Sequence, residues 1–411
     1  MGLILFVSAG PADTTGDDWY GEADLDFRRR FSLTIINHGE EDRPAAPVEI
    51  EVRELSVRDP LFRSDLCLVV DRERGPLTAQ ADDIDGDFIA DRLVFQCDLG
   101  PNEQREIAIY YLPNRLFARD YPAGVDAGLW RKIGARTVAV SYDRVPPGSH
   151  GGAFHRLDGP AWESETIGYR FYLDSRAAGD IFGKHKRELV LKKITPPGVD
   201  YLKDSEWGRD ILVVGESLGL GGFGVWDDGR LHRPMEADSI GCRVLADGPV
   251  RTVVATTYYG WRIGDLKQTI TAVFMIWAGN RHTSVTISPP GNNPDICLAV
   301  GIVRTEDVSP RFNLDRGWLY TRGLSAVDNG ELVMALTFPK DCLLRLGGDE
   351  HNHLALLKRG AGGLIHYRFA AFWDGEPDPL PTRSGLENYL SRINRLEANL
   401  IGIEEISIET R

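Results

Sequence analysis

From about residue 27 to 112, short apolar runs alternate with polar turns: Phe31-Ser-Leu-Thr-Ile-Ile36, Val48-Glu-Ile-Glu-Val52, Cys67-Leu-Val-Val70, Arg92-Leu-Val-Phe95 and Ile107-Ala-Ile-Tyr-Tyr111. Runs this short, rich in β-branched and aromatic residues, predict a β-sandwich. Pro101-Asn102 and Pro113-Asn114 close the block, and Pro122, Pro146, Pro147 and Gly148 break any long element over residues 114–150. A second series follows: Glu188–Leu191, Asp210–Val214, Val250–Tyr259, Gln268–Trp277, Thr283–Ile287, Leu332–Leu336 and Ile365–Phe369. Only Ser384–Leu396 has a helical period, with Leu386, Leu390, Ile393 and Leu396 on one face and Ser384 as the cap. No repeat of fixed period occurs. The expectation is an all-β chain: a smaller N-terminal β-sandwich over 1–112, an irregular linker over 113–150, and a large antiparallel β-sandwich with a C-terminal helix over 151–411.

One stretch, His155 to Lys184, concentrates ionisable and aromatic groups in a strand-like frame. Read as a single strand, residues 163–174 place Ser164, Thr166, Gly168, Arg170, Tyr172 and Asp174 on one face. Glu163, Glu165, Ile167, Tyr169, Phe171 and Leu173 fall on the other. The greasy face asks for a second sheet. The polar face suits either a cleft or a ladder of structural ion pairs.

The 411 residues, 42% hydrophobic and 26% charged, have an ordinary globular composition with a sizeable core. A net charge of −14 argues against a nucleic-acid partner and against docking on an anionic membrane, and leaves room for a local basic cleft that recruits an acidic sugar. The five scattered cysteines contain no Cys-x-x-Cys pair, which fits a reducing compartment. The N-terminal apolar run is too short for a signal peptide or a membrane span. As written the chain reads as cytoplasmic; a chain trimmed of an export signal would read the same and be periplasmic. Phe6 stands where myristoylation needs Ser or Thr.

Gly215-Glu-Ser217-Leu-Gly219 and Gly219-Leu-Gly221-Gly-Phe-Gly224 match a nucleophile elbow and a dinucleotide loop, but a turn rather than a helix follows them. A glycine-rich strand where another backbone passes close is expected instead. Asp83, Asp85, Asp87 and Asp91 space four carboxylates as a calcium loop would, without the EF-hand glycine or terminal glutamate, so they are either a structural calcium site or a self-capped turn. His351 and His353 lack a third zinc ligand at a suitable spacing. Trp162, Trp207, Tyr259 and Trp261 are candidate sugar platforms, since aromatic faces match the apolar C–H face of a sugar ring.

At Asp158-Gly-Pro-Ala-Trp-Glu-Ser-Glu-Thr-Ile-Gly-Tyr-Arg-Phe-Tyr-Leu-Asp-Ser-Arg176, Asp180-Ile-Phe-Gly-Lys184, Gln80–Asp87, Glu206–Gly224 and Tyr259-Gly-Trp261, the chain resembles a bacterial family, domain of unknown function 4861. The resemblance implies a mutarotase-like supersandwich, a sugar ligand and a setting in polysaccharide-utilisation loci beside enzymes for uronate-containing glycans. It also implies a histidine before the glutamate pair, a place that His155 or His150 fills. The family's Tyr-His pair is replaced here by Tyr201-Leu202.

Three functions are weighed. A lyase or dehydratase acting by β-elimination on uronic-acid-containing oligosaccharides must neutralise a carboxylate and supply a base and an acid. Arg170 or Lys184 would serve the first need, and Tyr172 or His155 the proton transfers. A glycoside hydrolase would pair Glu163 or Glu165 with Asp174 or Asp180. A non-catalytic oligosaccharide-binding protein would bind without turnover. Asp174 and Arg176 join the aromatics as substrate-binding candidates. No cofactor beyond structural calcium is implied, and the oligomeric state is left open.

Overall fold

The computed structural model describes residues 29–112, 121–146, 150–235, 237–263, 266–289, 296–398 and 401–410. The N-terminal apolar run, Pro113-Asn114 and Pro147-Gly148 lie outside the described residues. The described residues are mostly strand, and they divide into two compact units.

The first unit comprises the described residues before 124, residues 248–250 and those from 396 onward. One sheet runs in the order Gly402–Thr410, Arg29–Ile36, Gln104–Tyr111, Cys67–Asp71, Gly75–Leu77, and a second in the order Arg43–Glu51, Arg92–Leu99, Ala79–Asp82. Phe31, Leu33 and Ile35 alternate inward to meet Val48, Ile50 and Phe95. This is the expected smaller sandwich with one correction. The last strand, Gly402–Thr410, does not extend the large domain but pairs with Arg29–Ile36, matching Phe31 to Ile408 and Ile35 to Ile403. Ile403 and Ile406 pack on the smaller core, so burial decides the pairing.

The second unit, residues 124–247 and 251–395, is the large antiparallel sandwich. It begins earlier than expected: Val125–Ile133, Arg136–Val140 and Tyr142–Val145, inside the anticipated linker, are strands. Conversely, the Glu188–Leu191 run forms no strand and leads into the short helix Leu191–Ile194. One layer has nine strands among the described residues, centred on Arg251–Ile263, Leu266–Trp277, Thr283–Ser288 and Ile365–Trp373. The other layer is a six-stranded sheet (Gly208–Asp210, Gly179–Lys184, Gly168–Phe171, Ala161–Ser164, Val125–Ile133, Arg136–Val140) meeting a five-stranded one. They join where Gly179 bridges Gly219. A Cβ on Gly179 would lie 2.1 Å from the Leu220 carbonyl oxygen, so the glycine-rich run is a close backbone approach, as its sequence predicts.

Aromatic contacts bind the layers: Trp162 stacks on Phe274 with ring centroids 4.9 Å apart, and Tyr169 meets Phe369 edge-on at 5.0 Å. The helix Arg383–Ala398 lies on the outer face of the nine-stranded layer, with Leu386 and Leu390 against Trp318, Tyr320 and Val333. Its cap is Thr382, whose hydroxyl accepts the Gly385 amide at 3.2 Å, rather than Ser384.

Candidate site: a buried arginine network beside a basic groove

The stretch expected as one strand is a hairpin. Ala161–Ser164 and Gly168–Phe171 pair antiparallel around a turn at Glu165-Thr166, with Ala161 opposite Arg170 and Glu163 opposite Gly168. Opposed residues share a face, so Glu163 joins Arg170 instead of opposing it. Trp162, Tyr169 and Phe171 supply the apolar face, buried against the nine-stranded layer. The other face carries Glu163, Arg170, Asp180, Lys184 and Asp210. It is covered by the segment 185–207, whose Val190, Leu191, Ile194 and Trp207 form a small core with Trp130, Leu157, Ala161 and Phe182.

Two buried ion clusters lie under that cover. In the first, Arg170 Nε and Nη2 donate to Asp180 Oδ2 at 2.9 and 2.6 Å, Nη2 also reaches Asp210 Oδ2 at 2.6 Å, and Nη1 donates to the Tyr201 hydroxyl at 3.0 Å. The Tyr172 hydroxyl donates to Asp180 Oδ2 at 2.6 Å. Asp158, one-fifth exposed, stands 3.6 Å from Nη1. Burial works against the Arg170 charge, but Asp180 and Asp210 outweigh it and hold its pKa above the usual arginine value. Burial and then the Asp180 charge push Asp210 up to about 7. In the second cluster, Lys184 Nζ donates to Ser164 O at 2.5 Å and Glu188 O at 2.8 Å and pairs with Glu163 Oε2 at 2.5 Å. Glu163 Oε1 accepts the Val190 and Leu191 amides at 2.7 and 2.8 Å. Burial pushes Glu163 up and Lys184 down, each opposed by its partner's charge.

Beside the cover runs a groove of about 500 Å³, walled by Lys132 to Thr137 on one side and Pro197 to Leu202 on the other, with Arg156 between them. Arg156 lies over the Tyr201 ring at 4.8 Å and donates to the Val199 carbonyl, while its Nε has no partner. Lys132 Nζ donates to Gly152 O at 2.5 Å. Among the described residues none of Lys132, Arg136 and Arg156 has a carboxylate partner. The groove lining also holds Asp200, whose carboxylate faces Lys203 at 3.6 Å, so three cations stand against one anion and the groove is locally anion-attracting in a chain of net charge −14. A second pocket, of about 340 Å³ at Leu212, Val303, Leu324 and Met334, is mainly apolar.

Several expectations change. Arg170 is not open for a sugar carboxylate, because two aspartates already occupy its fork. Lys184 is fully buried with its donors used. Tyr172 cannot serve as a ready base, since burial and Asp180 raise its pKa far above an ordinary phenol's. His155 is fully buried, its Nε2 2.9 Å from Asp143 Oδ2, and burial lowers its pKa. Trp162 and Trp261 are fully buried and offer no face to a sugar. A bulge at Gly260 turns Trp261 into the core. Trp207 is buried against Phe182. Tyr259 is half-buried beneath Arg144, whose guanidinium lies 4.1 Å from its ring centroid.

Glu165 sits in the hairpin turn and accepts the Gly279 amide at 3.1 Å. Asp174 is buried, accepts the Gly151 amide and grips Arg176, which covers the Tyr172 ring at 3.6 Å. In the smaller unit, carboxylate oxygens of Asp83, Asp85 and Asp91 converge within 4.8 Å. Asp87 is not among them and accepts the Ile89 amide at 2.8 Å. His351 is exposed and His353 buried. Sequence reasoning passed over Arg156, Asp158, Tyr201 and Asp210. Only the Asp200-Tyr-Leu202 departure drew notice to Tyr201, and its loop setting hid its partner.

The family model described as domain of unknown function, DUF4861, matches residues 35–399. The uncharacterized protein P7 of Formosa agariphila is 22% identical over 388 residues, covering 88% of this chain and 90% of that protein. Among solved structures, a protein in the glycosyl hydrolase family 38 from Enterococcus faecalis aligns with a TM-score of 0.48 at 10% identity, over 91% of this chain and 47% of that one. An alpha-mannosidase from Enterococcus faecalis V583 aligns with a TM-score of 0.44 at 10% identity, over 93% and 46%. The chain thus spans about half the length of these two solved proteins. Since the family match takes in well over half of the chain, including all of the larger unit's described strands, the chain belongs to the DUF4861 family.

Proposed function

We propose that this chain is a carbohydrate-active lyase or dehydratase that performs β-elimination on uronic-acid-containing sugars in the groove at Arg156 and Tyr201. The observation that carries the reading is the set of three cations, Lys132, Arg136 and Arg156, lining one groove without a carboxylate partner among the described residues. Elimination needs the sugar carboxylate neutralised so that the adjacent C–H proton can leave, and arginine's planar fork suits that task. Tyr201 is assigned to proton transfer. Its oxygen already receives Arg170 Nη1, so charge developing there meets a fixed cation. Asp158, partly exposed beside the same guanidinium, is the second group placed to move a proton.

Hydrolysis by a carboxylate pair is less well supported. Asp180 and Asp210 share one arginine nitrogen under the cover, with no room for a sugar between them, and Glu163 is spent on Lys184 and two amides. The test is a panel of uronic-acid oligosaccharides monitored for the ultraviolet band of an unsaturated uronate and, in parallel, for new reducing ends. A rise or fall in absorbance supports elimination. New reducing ends without that band mean hydrolysis, and binding without either product means a non-catalytic role.

A further inference from the structure

The helix Arg383–Ala398 packs on one end of the nine-stranded layer's outer face, at Trp318, Tyr320 and Val333. The other end of that layer is the edge strand Tyr142–Val145, followed by Ser239–Gly248 and Arg251–Ile263. Asp143 and Val145 turn inward, as do Ile240 and Cys242, so alternation puts Tyr142, Arg144, Gly241 and Arg243 on the outer face. Tyr142 and Arg243 stand directly opposite each other, with the Arg243 guanidinium 5.3 Å from the Tyr142 ring centroid. Arg144, two residues and so about 7 Å further along the edge strand, stands opposite Gly241 and lies over Tyr259 at 4.1 Å. A Cβ at Gly241 would come within 3.0 Å of the Tyr259 ring, so the glycine lets that ring lie on the sheet beneath the arginine. Arg144 Nε donates to Ser239 Oγ at 2.5 Å, which fixes the guanidinium. The result is a phenol, Tyr142, 45% exposed and flanked by two exposed guanidiniums. Among the described residues neither arginine has a carboxylate partner. The carboxylates of the first two strands are committed elsewhere: Asp143 faces inward to Arg131 and His155, and Asp247, four residues along from Arg243, accepts the Ala127 amide at 2.7 Å. Asp238, just before the second strand, pairs with Lys267 at 2.8 Å.

We infer that Tyr142, Arg144 and Arg243 form a second sugar site, a surface on which a chain of acidic polysaccharide docks apart from the groove. The Tyr142 ring takes the apolar C–H face of one sugar unit, and the two guanidiniums take carboxylates of that unit and its neighbour. Charge complementarity selects the occupant. Two cations without counter-ions favour a polyanion over a neutral glycan. One exposed ring between them suits a sugar chain better than a nucleic-acid strand, whose successive bases each need a stacking partner.

Calorimetric titration of the full chain with polygalacturonate, its carboxyl-reduced form and single-stranded oligothymidylate tests this, with the groove disabled by Arg156→Ala. The Arg156→Ala protein is expected to bind polygalacturonate still. Adding Tyr142→Ala, or Arg144→Ala together with Arg243→Ala, should weaken that binding at least about tenfold, and the carboxyl-reduced polymer should bind as weakly as these variants do. All three positions are exposed, so urea midpoints should stay at the parent value, and the two sets of substitutions check each other. Failure of Arg156→Ala to bind the polymer would overturn the site, as would unchanged binding after either addition. Equal binding of the carboxyl-reduced polymer would also overturn it, and equal binding of oligothymidylate would mean a general polyanion surface instead. Failure of the groove reading is a separate result: it is read from turnover of short uronic-acid oligosaccharides by wild type, whereas this site is read from polymer binding once Arg156 is gone.

Discussion

Arg170 and Tyr201 are 31 residues apart in sequence, yet the arginine's Nη1 lies 3.0 Å from the tyrosine's hydroxyl oxygen. This bond connects the buried Asp180–Asp210 cluster to the wall of an open groove, because Tyr201 belongs to both. A Tyr201→Phe variant keeps the ring under Arg156 and deletes the oxygen. The expected loss of stability is about 1 kcal/mol, typical of one hydrogen bond. Urea unfolding checks it, and a loss above about 3 kcal/mol would mean that the hydroxyl holds up the cover as well.

The same network makes Arg170 a poor probe of chemistry. Removing it leaves Asp180 and Asp210 buried with no opposing charge, and breaking such a cluster costs about 3–5 kcal/mol. Arg170→Ala is therefore expected to lower the midpoint of urea unfolding sharply, or to yield little folded protein. Glu163→Ala, which strands the buried Lys184, is expected to do the same. A stable, well-folded Arg170→Ala protein would show that the cluster is not the keystone described here.

The Asp210 carboxyl gives stability a definite pH dependence. Its folded pKa, about 7, is above the unfolded value near 4, so between those limits the folded state holds the extra proton. The stabilisation tied to that proton is fully present below about pH 4 and is lost as the pH rises to 7, at up to about 1.4 kcal/mol per pH unit. Asp210→Asn removes this slope. Unfolding free energies at pH 5 and pH 7.5 for both proteins settle the sign: wild type should lose more on going to the higher pH than the variant does.

Trp162 separates a core role from a sugar platform. Its indole N–H donates to Thr283 at 2.9 Å and its ring stacks on Phe274, so Trp162→Ala is expected to cost about 3–5 kcal/mol. Sugar affinity of the folded fraction should be unchanged. A weakened affinity with intact stability would restore the platform assignment.

The architecture was largely legible because a sheet buried on one face writes itself as alternation. Thr283–Ser288 alternates buried and less buried positions along its length, and the helix at 383–398 shows its stripe at Leu386, Leu390 and Ile393 just as plainly. Boundaries were harder. The Glu165-Thr166 turn contains neither glycine, proline nor asparagine, so nothing local marks the reversal that brings Glu163 onto the face of Arg170. Trp261 was misjudged as a platform for a related reason: nothing in the Tyr259-Gly-Trp261 run marks the bulge at Gly260 that aims the indole inward.

The concentration of chemistry between His155 and Lys184 was visible, but its role was not. Charges that look catalytic in a row can be each other's partners. The pairing of Lys184 with Glu163 and of Arg170 with Asp210 depends on strand order, which composition does not carry. The groove was missed because Lys132, Arg136, Arg156 and Tyr201 come from separate segments that only the fold assembles.

The central claim is that Arg156 and Tyr201 share one substrate with different tasks. Initial rates of absorbance change on a uronic-acid oligosaccharide, measured for wild type, Arg156→Ala and Tyr201→Phe, test it most directly. The account predicts that Arg156→Ala raises KM at least tenfold, and that Tyr201→Phe lowers kcat by about a hundredfold or more with KM little changed, the range expected for losing a proton-transfer group. Wild-type rates in both variants would contradict it and move the chemistry out of this groove.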